Sequence, residues 1–239
     1  MTDALSRTAK TTRRKRGASI GLIFALAALV VLIVLAAAFV ALVLWPRWPT
    51  ASVAPDAPAL PITVGGVLFN VPPGAIRVAM QRRPGAQDRL DLAFLWPSLA
   101  PPDPQARPAP SEAPPPIDRL FITIEPQASA LTPSDRVRTI YPRYLAEMQF
   151  DGPDGLKVIS FKEGSPYQGE DLFFDPAAQP GFVTRCSRPG KAGTPGMCLY
   201  EKRIDSADVT IRFPSDWLTG WRALSTGIDG LLAQLKPAG

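Results

Sequence analysis

Thirty consecutive residues, Gly17 to Pro46, carry no charge and are mostly Leu, Val, Ile, Ala and Phe. At about 1.5 Å rise per residue, a helix over this run measures roughly 45 Å, more than the ~30 Å hydrocarbon core of a bilayer. The run predicts a transmembrane helix over 18–45, and the rest of the chain is then tethered to lipid. A cleaved signal sequence shares the basic start and apolar stretch, but its apolar part runs only about 7 to 15 residues. Phe39 to Trp45 also continue the apolar run past the small triplet Ala36, Ala37, Ala38. An uncut anchor is the better fit.

Charge orients the anchor. Residues 1–17 hold Arg7, Lys10, Arg13, Arg14, Lys15 and Arg16 against Asp3 alone, a net of +5 that equals the charge of the whole chain. The remainder, with 20 basic and 20 acidic residues, is balanced, which argues against nucleic acid as a partner. Positive charge beside a span stays in the cytoplasm, so 1–17 is expected as a basic cytoplasmic tail. The C-terminal part is then expected outside, and Trp45 and Trp48 as anchors at the outer interface. Gly17, Gly21 and Ala25 recur at four-residue spacing, a pattern that lets two helices approach closely. That face is expected to support a homodimer through the span.

Beyond the span, a Pro/Ala-rich linker over 46–61 leads to a domain over 62–239 with a Pro-rich loop at 97–116, where nine of twenty residues are Pro. Such stretches form neither helix nor sheet and act as semi-extended spacers. The alternation of Leu90, Leu92, Phe94 and Trp96, and of Leu120, Ile122 and Ile124, predicts two strands that the Pro-rich loop joins as sheet neighbours. Ile62 to Val71 predicts a first strand with a bend at Gly65 and Gly66.

From Thr132 the apolar spacing becomes helical through Val137, Ile140, Tyr141, Tyr144, Leu145 and Met148, behind a Thr cap and Pro133. Pro142 predicts a kink or break near Arg138 to Tyr141. Asp151 to Gly155 reads as a turn, since the twelve-residue calcium loop with its closing Glu is missing. Leu156–Phe161, Asp171–Phe174, Phe182–Ser187, Met197–Ile204 and Val209–Phe213 then predict an antiparallel meander. A final amphipathic helix, capped at Ser215, carries Trp217, Leu218, Trp221, Leu224, Ile228, Leu231, Leu232 and Leu235. The expected fold class is α+β: one transmembrane helix, then a mostly antiparallel sheet domain with two main helices packed on one face.

The chain has no His. This removes Ser-His and Cys-His nucleophile pairs, His-liganded zinc and CxxCH haem attachment, so no metal or other cofactor is expected. Cys186 and Cys198, the only thiols, flank a short loop between two strands and are expected to form a disulfide in an oxidising compartment. Glu163, Glu170, Asp171 and Asp175 could supply a carboxylate pair for hydrolysis of cell-wall or carbohydrate substrates. Ser160 and Lys162 offer a Ser-Lys pair at a spacing that arises often by chance. With nineteen Arg to seven Lys and no glycosylation sequon, the composition suits a bacterial inner-membrane protein with a periplasmic domain. The leading expectation is a non-catalytic envelope protein that binds another envelope protein or an envelope component. The alternative is the carboxylate-dependent hydrolase.

Overall fold

The computed structural model describes residues 17–44, 53–54, 56–103, 116–177, 181–190 and 195–237. The basic tail before residue 17, Trp45, Trp48, the first part of the linker and the middle of the Pro-rich loop lie outside the described residues. The chain divides into two compact units, Met1–Trp48 and Pro49–Gly239.

The first unit contains α1 (Gly17–Leu44), 28 residues without a charged side chain. Its segment Gly21–Val40 is long and apolar enough to cross a membrane. Residues 21–40 are exposed along the whole segment, as expected of a helix whose apolar surface is not spent on a protein core. A side-chain carbon added at Gly21 would meet nothing within 4 Å.

The second unit is built on an eight-stranded sheet whose strands all pair antiparallel, with a smaller sheet beside it. The small sheet starts with β1 (Leu60–Val64) and β2 (Val67–Val71) and is completed by the short β3 (Gly85–Ala86), parallel to β1. The bend expected at Gly65 and Gly66 is a full reversal, so the single strand over 62–71 is a hairpin. Both glycines hold positive φ, 58° and 83°, which a two-residue hairpin loop requires and larger residues resist.

The large sheet runs in the order β4-β5-β11-β10-β9-β8-β7-β6. Its strands are β4 (Leu90–Leu95), β5 (Arg119–Pro126), β6 (Leu145–Asp151), β7 (Lys157–Phe161), β8 (Glu170–Phe174), β9 (Val183–Ser187), β10 (Met197–Ile204) and β11 (Ala207–Pro214). As expected, the Pro-rich loop joins sheet neighbours, β4 and β5, and β7 to β11 form the meander.

The region after Thr132 departs from the single kinked helix. A capping box, with the Thr132 hydroxyl accepting from Asp135 N–H and the Asp135 carboxylate accepting from Thr132 N–H, starts α2 (Pro133–Thr139). Pro142 then falls in a 3-10 turn, Tyr141–Arg143, and Leu145 to Asp151 form β6 instead of more helix. Proline cannot donate the next helical hydrogen bond, and the freed chain pairs with β7, Leu145 opposite Phe161 and Phe150 opposite Val158. Nor does Ser215 cap a helix. A 3-10 segment, Ser215–Gly220, comes first, and α3 (Trp221–Leu235) starts after Gly220 without a side-chain cap.

The two helices cover opposite faces of the sheet, not one. Even-numbered residues of β10 and odd-numbered residues of β11 (Cys198, Tyr200, Val209, Ile211, Phe213) join Leu90, Leu92, Phe94, Leu120, Ile122 and Ile124 on one face. Over them pack Leu224, Ile228, Leu231, Leu232 and Leu235 of α3 and Ile62, Val64, Phe69 and Val71 of the small sheet. On the reverse face, Tyr141 packs with Phe161 and Leu172, flanked by Val137, Ile140, Tyr144 and Tyr167. Each large buried side chain contributes about 1.5–3 kcal/mol, so the α3 side dominates stability and α2 closes a satellite core.

Candidate interaction surface

β6 is the last strand of the large sheet, and among the described residues its outer side has no partner strand. At the other end, the segment before β4 closes the edge: Ile76 bridges to Leu92, and Arg77 N–H donates to the Asp91 carbonyl at 2.9 Å. One edge is thus covered and the other open. Open edges are usually protected by charge, Pro or covering segments, because unpaired N–H and C=O groups recruit another strand. β6 carries charge at Glu147 and Asp151, yet between them it sets two large apolar side chains in solvent, Met148 (68% exposed) and Phe150 (53%).

Phe150 belongs to a strip. It pairs with Val158, which pairs with Phe173, so one apolar row crosses three strands from the edge toward the α3 core. A bulge between Leu145 and Gln149 interrupts the register and leaves Gln149 to Asp151 as the regular stretch. The far end of the β6–β7 hairpin is held by α3. The Trp221 indole N–H donates to the Asp154 carbonyl at 3.0 Å, Arg222 pairs with the Asp154 carboxylate, and Leu156 is buried.

The residues considered for hydrolysis are placed otherwise. Glu170 and Asp171 are consecutive in β8 and point to opposite faces. Glu170 pairs with Arg185 on the α2 side, where that guanidinium lies 5.0 Å from the Tyr167 ring centre and 5.7 Å from that of Tyr141. Burial pushes the Tyr141 phenol above its ordinary pKa. Asp171 pairs with Arg188 at 2.8 Å, and the Arg188 pKa is raised chiefly by that hydrogen bond and further by Glu163 nearby. Asp171 is thus half-buried and matched by an arginine, and Glu163 makes no ion pair among the described residues. Asp175 stands beyond the other end of β8, where its N–H donates to the Phe182 carbonyl.

Ser160 faces Asp171 across the β7–β8 pair, and among the described residues no hydrogen bond joins it to Lys162. Among the described residues no group of three His, Cys, Asp or Glu side chains could hold a metal ion. A shallow cavity of about 310 Å³ lies between the linker and the Pro-rich loop, lined by Ala57, Pro72, Pro73, Gly74, Pro101 and Pro102 among others. Proline rings give it little to orient a ligand with.

Cys186 and Cys198 are directly opposed in the β9–β10 ladder, with Cα atoms 3.9 Å apart, and are joined as a disulfide. Asp91, on the face away from α3, accepts from Arg89, Gln81 and Thr123. The Arg89 hydrogen bond, above all, holds its carboxyl below the ordinary value against the opposing effect of burial. This cluster ties the segment before β4 to the sheet and is structural. The open edge was missed in the sequence because β6 carries a helical spacing.

No family model matches the chain, and no curated protein matches it. Two solved structures resemble it. Smlt3025, an immunity protein of the Stenotrophomonas maltophilia type IV secretion system, aligns at a TM-score of 0.53 and 14% identity. The match covers 76% of this chain and 94% of that one. FrpD, an iron-regulated outer membrane lipoprotein of Neisseria meningitidis, aligns over the same shares at a TM-score of 0.42 and 11% identity. The likeness to Smlt3025 is one of fold.

Proposed function

We propose that this chain is a single-pass, membrane-anchored envelope protein of a bacterium whose sheet domain binds another envelope protein without catalysing a reaction. The N-terminal tail stays in the cytoplasm, α1 spans the inner membrane, and the domain works in the periplasm, where the Cys186–Cys198 disulfide is stable. Gly17, Gly21 and Ala25 fall on one face of α1 and would let two copies pair in the bilayer.

The observation that carries the binding role is the open β6 edge with Met148 and Phe150 in solvent. An extended segment of the partner adds to that edge, its backbone pairing with β6 and its side chains meeting the Phe150–Val158–Phe173 row. Sharing a fold with an immunity protein of a secretion system agrees with such a role. A hydrolase needs two carboxylates facing each other across a cleft, whereas Glu170 and Asp171 point to opposite faces and each is paired with an arginine.

The test is a photo-crosslinking amino acid at position 148 of the full chain in native membranes, with adducts mapped by mass spectrometry. The proposal expects one protein captured through an extended segment, and loss of the adduct in Phe150→Lys with folding unchanged. Adducts to lipid alone, or a protein adduct indifferent to Phe150→Lys, would overturn it.

A further inference from the structure

On the sheet face opposite α3, Gln81 ties the segment before β4 over Asp91, with Thr123 buried beside it, while Arg136 of α2 and the 128–131 segment reach Glu201, Arg203 and Asp208. The stretch of β5, β11 and β10 that carries Phe121, Arg212 and Leu199 stays partly exposed. Across this face the register sets Ala93, Phe121, Arg212 and Leu199 in one row. Phe121 and Leu199 are half-buried, and Arg212 between them is exposed. A second guanidinium, that of the exposed Arg77, lies 4.5 Å from the Phe121 ring centre. Arg77 thus lies against the Phe121 ring, and Arg212 is the neighbour of Phe121 in the row.

Ion pairing on this face is unequal. Asp91 and Glu125 both bind Arg89, Asp208 binds Arg203, and Glu201 binds Arg136. Arg119, one position along from Phe121 on the same face, is matched by Asp118. Among the described residues, Arg77 and Arg212 have no acidic partner. The face is therefore cationic at one place, and there its two free guanidiniums stand beside apolar surface. Arginine with an aromatic ring at the centre of a patch is the composition of energetically dominant interface residues. Each guanidinium offers a planar fork that matches a carboxylate.

We infer that the Arg77–Phe121–Arg212 surface is a second interaction site, which takes an acidic segment of another protein. Carboxylates of that segment pair with Arg77 and Arg212, and its apolar side chains lie on Phe121 and Leu199. The site is remote in register from the β6 edge, so it stands or falls separately from the edge-binding role. A nucleic acid is disfavoured by the balanced charge of the chain beyond residue 17, 20 basic against 20 acidic residues, and an adduct to nucleic acid or lipid is an outcome of the test.

The experiment places a photo-crosslinking amino acid at position 199 of the full chain in native membranes and maps the captured residues. The inference expects a protein adduct at a segment containing Asp or Glu, reduced about tenfold or more by Arg212→Glu or Arg77→Glu. Arg119→Gln, whose arginine is already paired, leaves the yield unchanged. Changing the mapped acidic residue to Lys restores the adduct with Arg212→Glu, a rescue that a loss of folding would not show. Adducts to lipid or nucleic acid, a segment without acidic residues, no adduct, or indifference to both charge reversals would each overturn the inference.

Discussion

The indole N–H of Trp221 donates to the backbone carbonyl of Asp154 at 3.0 Å, fastening the tip of the β6–β7 hairpin to the first turn of α3. Asp154 holds a positive φ of 48°, and its carboxylate pairs with Arg222 in the same turn. The outermost strands of the sheet are therefore positioned by the helix that covers its other half. Trp221→Phe keeps a ring against Phe182 but removes the hydrogen bond and part of a buried indole that also faces Arg222. It should cost about 2–3 kcal/mol in denaturant unfolding and speed amide exchange in residues 152–156.

The adjacent carboxylates of β8 should respond differently to neutralisation. Glu170→Gln leaves the Arg185 guanidinium, 17% exposed, without its counter-charge between two tyrosine rings. A loss of about 2–3 kcal/mol is expected, below that of a fully buried pair because Glu170 is partly in water. Asp171→Asn breaks a pair whose arginine is 49% exposed and should cost about 0–1 kcal/mol. Equal losses would contradict the difference in burial between Arg185 and Arg188.

Acid should act on the start of α2. The Thr132 hydroxyl, then Arg138 and the Thr132 N–H, hold the Asp135 carboxyl down at about 2, against 3.8 ordinarily. Because the folded value is the lower one, its contribution is complete above the ordinary value and is lost as pH falls toward about 2. Residues 132–139 should fray between about pH 4 and 2 in nuclear magnetic resonance spectra, and Asp135→Asn should fray already at neutral pH.

Reduction of the disulfide should be felt in the folded sheet domain. The bridge closes a loop with a sequence separation of 12, so replacing Cys186 and Cys198 with Ser should cost about 2–3 kcal/mol. The two serines would also be buried at one position of the β9–β10 ladder. Unfolding with and without a reductant measures this, and the double variant should be indifferent to reductant.

At the hairpin turn, a methyl group on Gly65 would stand 2.5 Å from the Ser206 carbonyl oxygen, at a backbone φ that alanine resists. Gly65→Ala should therefore destabilise by about 1–3 kcal/mol, read as a lower unfolding midpoint. Gly66→Ala, with only the Ser206 hydroxyl 3.8 Å away, should cost less.

The meander was legible because short apolar runs recur at about ten-residue spacing between turn residues, and each ladder then pairs sequence neighbours. The strands around the Pro-rich loop were legible because their apolar residues alternate. Three features misled. The apolar spacing from Val137 to Met148 is helical, but Pro142 stops the helix and pairing with β7 claims the rest, a tertiary choice that local periodicity does not contain. Gly65-Gly66 between two apolar runs is a hairpin signal as much as a bend, and the contact with Ser206, 141 positions away, favours the reversal. The cationic row was invisible because Arg77, Phe121 and Arg212 belong to three distant segments that only the β5–β11 register and the fold of the 76–82 segment bring together.

Everything proposed for the domain depends on its standing outside the cytoplasm. Alkaline phosphatase, which becomes active only where its own disulfides form, fused after Gly239 reports this directly. The account predicts phosphatase activity in intact cells, retained in the membrane fraction. Activity absent there, with a cytosol-active reporter functional at the same position, would contradict it.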